Sequence, residues 1–276
     1  MEHPLITKRE ANKLLIYRTG LVKISLDLGI SQSEVAIKNN LAHINNQKIK
    51  LKDFIKVKEN TCYTIENNTL KPIALFSQDT GLYYKLFPTN DWPTITLSST
   101  PMHRYSSLSP KADTETKIKE ISPVKGIVLD TCCGLGYTSI LASKTAEKVI
   151  TFERDKNVLA IARFNPYSND LFSKKNITIN QKDILDEILN LKDSSFDRII
   201  HDPPTFKYSP DLYSKEFHKQ LYRILKKMGI LYHYCSCPKK TKGNLLFPRI
   251  VNQLKEVGFN HVEYHESSSG IRAVKE

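Results

Sequence analysis

The chain has 276 residues, 40% hydrophobic content and a formal net charge of +12. That length suits one large domain, or a main domain with a smaller one. No apolar run reaches the roughly 18 residues of a membrane span, and the start, MEHPLITKRE, lacks the apolar core of a signal peptide.

A cytoplasmic, soluble protein is therefore expected. The five cysteines are an odd number in a chain that is not small, which argues against a disulfide scaffold. Cys132 and Cys133 are adjacent and Cys235-x-Cys237 is tight, so neither pair has zinc spacing, and no metal is expected. The positive excess is spread over both parts of the chain. It favours a phosphate-bearing partner such as nucleic acid, although compositional bias would also supply it.

From about residue 20 to 85 the patterns are short and alternating, with Asn-rich turns between them as in hairpins. This predicts a small β-rich domain over residues 1–110. Toward its end, YYKLFPTNDWPTITLSSTPMHR interleaves Tyr83, Tyr84, Phe87 and Trp92 with Lys85, His103 and Arg104. Aromatics beside cations stack bases and hold phosphates, and they also pack one domain on another. His103 and Arg104 are the preferred substrate-contacting pair.

The stretch YSSLSPKADTETKIKE is polar and turns helical from about Asp113. After Val124 the rhythm becomes strand, helix, strand, helix. GIVLD, KVITFE, ITINQKD, FDRIIHD and GILYHYCS read as buried strands, with helices over 136–146, 155–165, 184–191, 213–226 and 244–257. The final GFNHVEYHESSSGIRAVKE adds two strands and a turn. The fold class predicted for 111–276 is α/β: a Rossmann-like, doubly wound, seven-stranded sheet whose last strand is antiparallel.

Ligands of such sheets bind beyond the carboxyl ends of the strands, and acids stand there. Asp130 ends the first strand, and Gly134 and Gly136 follow, letting the chain turn sharply and a ligand approach the backbone. Glu153 is placed to accept hydrogen bonds from ribose hydroxyls, and Asp183 to reach an adenine amino group. Asp202 ends the fourth strand. One such acid would be read as a helix cap; four in succession point to an adenosine-bearing ligand. This much negative charge repels a pyrophosphate and suits a cationic cofactor, which favours S-adenosylmethionine over a dinucleotide.

VLDTCCGLG, VITFERD, NQKDIL and HDPPTF, in this order, resemble a class I S-adenosylmethionine-dependent methyltransferase over about residues 120–276. LDTCCGLGYT, ERDKNVLAIARFNPYS and LYSKEFHKQLYRILK narrow the similarity to predicted archaeal methyltransferases without a settled substrate. The resemblance assigns cofactor binding to Asp130, Cys132, Gly134, Gly136, Glu153, Asp183 and Ile184. Cys132 departs from the family pattern, standing where glycine is usual.

Asp202, Pro203 and Pro204 form the catalytic candidate with Phe206. Two prolines fix the chain and remove donors, leaving acceptors for an amino group. Amine methyltransferases acting on nucleobases use Asp-Pro-Pro-aromatic, the aromatic stacking on the base. Here Thr205 takes the fourth place and Phe206 comes one residue late, and a merely rigid loop is the plainer alternative. His201 reads as a proton acceptor or as a packed core histidine. Cys235 or Cys237, near Lys239 and Lys240, would be a nucleophile of the kind that attacks carbon 5 of cytosine, or else part of an ordinary strand.

The function expected is methylation of a base of RNA (tRNA or rRNA), preferably at an amine nitrogen. A protein or small-metabolite methyltransferase, an aminopropyltransferase and a non-catalytic module are the alternatives.

Overall fold

The computed structural model describes residues 4–235 and 246–276. The chain divides into two compact units: residues 1–111 with 160–167, and residues 112–159 with 168–276. Cys237, Lys239 and Lys240 lie outside the described residues, as does the start of the helix expected from 244.

The first unit is mainly β, in three antiparallel sheets. Its elements are β1 (Leu5–Ile6), α1 (Lys8–Ile16), β2 (Gly20–Ile24), β3 (Ser33–Lys38), β4 (Leu41–Ile44), β5 (Gln47–Lys50), β6 (Tyr63–Glu66), β7 (Thr69–Pro72), β8 (Ala74–Ser77), β9 (Leu82–Phe87), β10 (Thr94–Leu97) and β11 (Thr100–Pro101). The sheet orders are β1-β6-β7, β2-β3-β4-β5 and β11-β10-β9-β8. The Asn-Asn pairs explain two hairpins. Asn39 and Asn40 join β3 to β4, and Asn67 and Asn68 join β6 to β7; all four have positive φ, which asparagine tolerates and type I′ turns require. Helix α1 was not anticipated. Thr7 precedes it and its hydroxyl bonds the Glu10 carboxylate, three residues on. Leu14, Ile24, Ile37, Ile49 and Phe54 are fully buried in this unit's core.

The second unit begins in α2 (Pro110–Glu120), which opens on a proline suited to a first helical turn and so starts earlier than the expected Asp113. There follow β12 (Ile127–Asp130), α3 (Tyr137–Ala142), β13 (Lys148–Phe152), α4 (Lys156–Ala162), α5 (Asn169–Ser173), β14 (Ile177–Asn180), α6 (Ile184–Glu187), β15 (Phe196–His201), α7 (Lys215–Ile224), β16 (Leu225–Tyr234), α8 (Leu246–Val257), β17 (Asn260–His265) and β18 (Gly270–Lys275). The seven strands run in the order β14-β13-β12-β15-β16-β18-β17. Neighbours from β14 to β16 are parallel, and β18 is antiparallel to both β16 and β17. The predicted α/β doubly wound sheet with an antiparallel last strand is thus observed.

Several boundaries differ: α3 ends at Ala142 and α4 at Ala162, short of the expected 146 and 165, and α5 has no counterpart among the expected helices. Helix α7 ends at Ile224 because β16 begins at once, its irregular start containing Met228 at positive φ. Strand β14 stops at Asn180, three residues short of Asp183. Leu129, Ile199, Leu231 and Ile271 form part of one apolar layer on the sheet, and Val128, Val149, Ile200 and Tyr232 part of another, which is how alternate strand residues fill two faces.

Candidate active site

Strand order reverses between β12 and β15, and a crevice for ligands opens beyond the carboxyl ends of strands at such a point. Asp130 closes β12, while Glu153 and Asp202 directly follow β13 and β15.

Asp130 is fully buried. Its Oδ2 accepts hydrogen bonds from Thr138 Oγ1 and Ser139 Oγ, both at 2.7 Å, and its Oδ1 accepts from the Cys132 amide at 3.4 Å. Burial pushes its carboxyl up to about 6, against the pull of those hydroxyls. The expectation of four carboxylates presented side by side on a rim therefore fails at Asp130: its oxygens are turned inward to hold the loop and the first turn of α3. Thr138 and Ser139 were missed in the sequence, although two hydroxyl residues eight and nine positions after the acid were a readable sign.

Glu153 is half-buried. Its Oε2 accepts from the Gly134 amide at 2.9 Å and its Oε1 from the Asp155 amide at 3.0 Å. Burial raises its carboxyl to about 7, partly offset by the two amides. Gly134 has φ of +56°, and a Cβ there would meet nothing within 4 Å, so the space above this turn is open. Gly136 differs: at φ +80°, its Cβ would strike Leu171 Cδ2 at 2.5 Å, so this glycine serves packing against α5.

Asp183 is the N-cap of α6. Its Oδ1 accepts from the Leu185 amide at 2.9 Å, and its Oδ2 lies 3.3 Å from Arg154 Nη1. The capping role weighed for these acids is realised here. Ile184 is buried in the core. Cys132 is half-buried. Burial first, with the nearby Glu153, Asp130 and Asp202 carboxylates, holds its thiol well above the usual range and therefore protonated. Cys133 is buried.

Asp202 Oδ2 lies 2.6 Å from Lys117 Nζ, which also lies 3.0 Å from Asp113 Oδ2 and 4.9 Å from the centre of the Tyr234 ring. Lys117 is 3% exposed. Sequence reading missed it: an Asp and Lys four apart in KADTETKIK mark a helix pair, but nothing local reveals the partner 85 residues away. Pro203 is buried. The Pro204 carbonyl accepts a bond from the Tyr213 hydroxyl at 2.8 Å, so it is already engaged. Phe206, 39% exposed, meets the Tyr213 ring edge-on with centroids 5.6 Å apart. Lys207 and Tyr208 beside it are exposed too.

His201 is a core histidine. Its Nδ1 bonds Thr131 Oγ1 at 2.7 Å and its Nε2 the Leu212 carbonyl at 2.9 Å, and burial keeps it neutral. Cys235 is fully buried within the apolar layer. The structure thus brings together Asp130, Cys132, Glu153, Asp202 and Lys117. His103 and Arg104 belong to the other unit, where His103 Nδ1 lies 2.9 Å from Thr94 Oγ1. Among the described residues no group of three metal-ligating side chains converges, and no helix is long and apolar enough to cross a membrane.

Comparison with known proteins accords with this geometry. A family described as a methyltransferase domain matches residues 124–269. An uncharacterized protein of Methanocaldococcus jannaschii is 37% identical over 278 residues, covering 98% of this chain and 95% of that one. A 23S rRNA (uracil(1939)-C(5))-methyltransferase of Legionella pneumophila is 37% identical over 78 residues, which are 28% of this chain and 17% of that enzyme. The solved structure of spermidine synthase from Thermotoga maritima superposes with a TM-score of 0.58 at 20% identity, over 74% of this chain and 72% of that one, and shows a shared fold. The chain belongs to the methyltransferase domain family, and it is an enzyme that uses S-adenosylmethionine.

Proposed function

We propose that the protein methylates a nitrogen of a base in RNA, in tRNA or rRNA. The observation that carries this reading is Asp202, fixed by Lys117 at the head of a Pro-Pro loop that leads into exposed Phe206, Lys207 and Tyr208. Rings beside a cation on an exposed loop suit a stacked base and its phosphate. The net charge of +12 and the partial similarity to an rRNA methyltransferase add to it.

The residues fit the cofactor. The space above Gly134 is open, and Glu153 keeps lone pairs beyond its two amide bonds for ribose hydroxyls. Asp183 and Ile184 would border the adenine. Asp130 and Cys132 would shape the loop without touching the ligand through a carboxylate. S-adenosylmethionine supplies, when bound, a methyl group made electrophilic by its sulfonium. The protein's share is alignment and exclusion of water. Asp202 accepts a hydrogen bond from the base amine, aims its lone pair, and offsets the positive charge that grows on nitrogen as the methyl group arrives. Phe206 stacks on the base. The N-terminal β-rich part, residues 1–110, would grip the RNA, with His103 and Arg104 among its contacts. The free cysteines among the described residues suit a reducing compartment, consistent with the cytoplasm.

A carbon-5 reading is favoured by the name of the partial relative, but the complete burial of Cys235 works against a thiolate there. Incubation with tritiated S-adenosylmethionine and RNA from a strain lacking the gene should place label in RNA. Label confined to protein or small molecules overturns the reading.

A further inference from the structure

We infer that the outward face of the sheet β11-β10-β9-β8 in the first unit binds single-stranded RNA: one pair of rings, Phe76 and Tyr83, and a second, Phe87 and Tyr105, stack on bases, while Lys85 between them holds phosphate. This deepens the proposed RNA reading and rests on it.

The strand register builds the face. Alternate residues of β9 point to opposite sides. Tyr84 and Leu86 are fully buried, whereas Tyr83, Lys85 and Phe87 turn the other way. Phe76 lies directly opposite Tyr83 across the β8–β9 pair. Phe76 is 62% exposed and Tyr83 42% exposed. A cross-strand pair of rings adds modestly to a hairpin, but two large rings side by side in water are the kind of exposure that marks an interaction surface. Thr94 of β10 lies opposite Phe87. The chain returns to this flank after β11: His103 Nδ1 is 2.9 Å from Thr94 Oγ1, and the Tyr105 ring centre is 5.0 Å from that of Phe87. The segment that carries His103 and Arg104 thus borders the same face.

Charge decides the partner. Lys85 Nζ lies 5.6 Å from the centre of the Phe87 ring. Burial first, and then the like charge of Lys58, lowers the Lys85 ammonium from its ordinary range. A phosphate beside the two lysines relieves that repulsion, whereas an apolar protein surface would bury Lys85 without a counter-charge. Residues 74–87 hold one acid, Asp79, and it lies in the turn between β8 and β9. Tyr83 and Phe87 stand about 13 Å apart along β9, four residues at roughly 3.3 Å each, with Lys85 midway. Bases on the two ring pairs and their connecting backbone on the lysine match this order of ring, cation, ring. Paired bases hide their faces in the stack, so the strand bound is an unpaired one.

The test is fluorescence anisotropy of the full chain with a labelled oligouridine of about ten nucleotides. Wild type should bind with a Kd below about 100 µM at low salt. Phe76→Ala combined with Tyr83→Ala should raise the Kd by about tenfold or more. Lys85→Gln should weaken binding and reduce the slope of log affinity against log salt by about 0.7, the share of one phosphate in a single strand. Ile55→Ala, which truncates another exposed apolar side chain, should bind as wild type does. A wild-type Kd above about 100 µM overturns the inference, as do folded face variants that bind like wild type; a changed oligomeric state in those variants would mark a protein interface instead. Should the double variant not fold, ultraviolet crosslinking of wild type to a 4-thiouridine oligonucleotide decides: crosslinks within residues 74–87 or 103–105 support the inference, and crosslinks only elsewhere overturn it. Methyl transfer is read separately. Binding through this face without label in RNA refutes the proposed acceptor and leaves the surface standing; label in RNA with binding indifferent to the face does the reverse.

Discussion

The Gly134 amide donates to Glu153 Oε2 at 2.9 Å, which ties the turn after β12 to the acid after β13. The carboxylate that fixes the loop is also the one proposed to receive the ribose. Glu153→Gln keeps the shape but puts an NH2 donor in place of one acceptor oxygen, so one of the two amides loses its partner and the other bonds a neutral oxygen. Each bond to a charged group is worth about 1.5–3 kcal/mol, so the dissociation constant for S-adenosylmethionine should rise by about tenfold or more. Titration calorimetry at pH 8 checks this, and unchanged affinity removes Glu153 from the site.

The same carboxyl gives a pH dependence. Burial lifts it to about 7, so below that pH it holds a proton that must leave before it can accept two hydroxyl donors. Cofactor affinity should rise from pH 6 to pH 8, by up to about tenfold per unit on the acid side. In Glu153→Gln this slope should vanish, while a slope retained in that variant assigns the titration to another group.

Asp130 acts by holding its own loop. Asp130→Ala leaves the Thr138 and Ser139 hydroxyls and the Cys132 amide without their acceptor, in a place closed to water. A loss of about 1.5–3 kcal/mol in unfolding free energy is expected, read from urea denaturation. Weaker cofactor binding should accompany it. A variant as stable as wild type would contradict the burial-based role.

Three neutral histidines set the acid response. His201, His218 and His233 are buried, with His218 Nε2 3.0 Å from His233 Nε2. Burial lowers His218 to about 2 and His233 to about 4, from an ordinary 6.5. The unfolded chain takes up these protons below 6.5 and the folded one does not, so their contribution is complete above pH 6.5 and is lost as pH falls toward 4. Glu153 has the opposite sign: its folded value of about 7 exceeds the ordinary 4.5, so acidification across that window stabilises the fold. Glu153→Gln removes this opposing effect, and its stability should fall more steeply than wild type between pH 6.5 and pH 5. Parallel urea midpoints for the two proteins would contradict the assignment.

Asp202 should separate binding from chemistry. Asp202→Asn keeps a side chain of the same size beside Lys117 but loses the charge that offsets the growing positive nitrogen. Turnover should fall by about 10²-fold or more, with cofactor affinity changed little. A variant with normal turnover removes the Asp-Pro-Pro loop from catalysis.

The sheet was legible because each parallel strand is a run such as Ile127-Val128-Leu129 closed by a turn, and periodicity reports burial directly. Asp130, Glu153 and Asp202 were legible as strand-end acids. What their side chains face was not, since Asp130 turns inward only because Thr138 and Ser139 fold back on it. Lys117 was hidden because its partner Asp202 follows β15, and spacing along a chain says nothing of contacts across 85 residues. Asp183 read as a ligand contact and is observed as a cap, a role one short polar side chain fills with the same carboxylate geometry. Helix α5 escaped because NDLFS is too short to show a period.

The proposed reaction is methyl transfer to a nitrogen of an RNA base. Mass spectrometry of nucleosides from tRNA and rRNA, with and without the gene, tests it most directly. One N-methylated nucleoside should disappear on deletion and return with wild type but not with Asp202→Asn. Identical nucleoside profiles in the two strains, or a missing methyl group located on carbon, would contradict it.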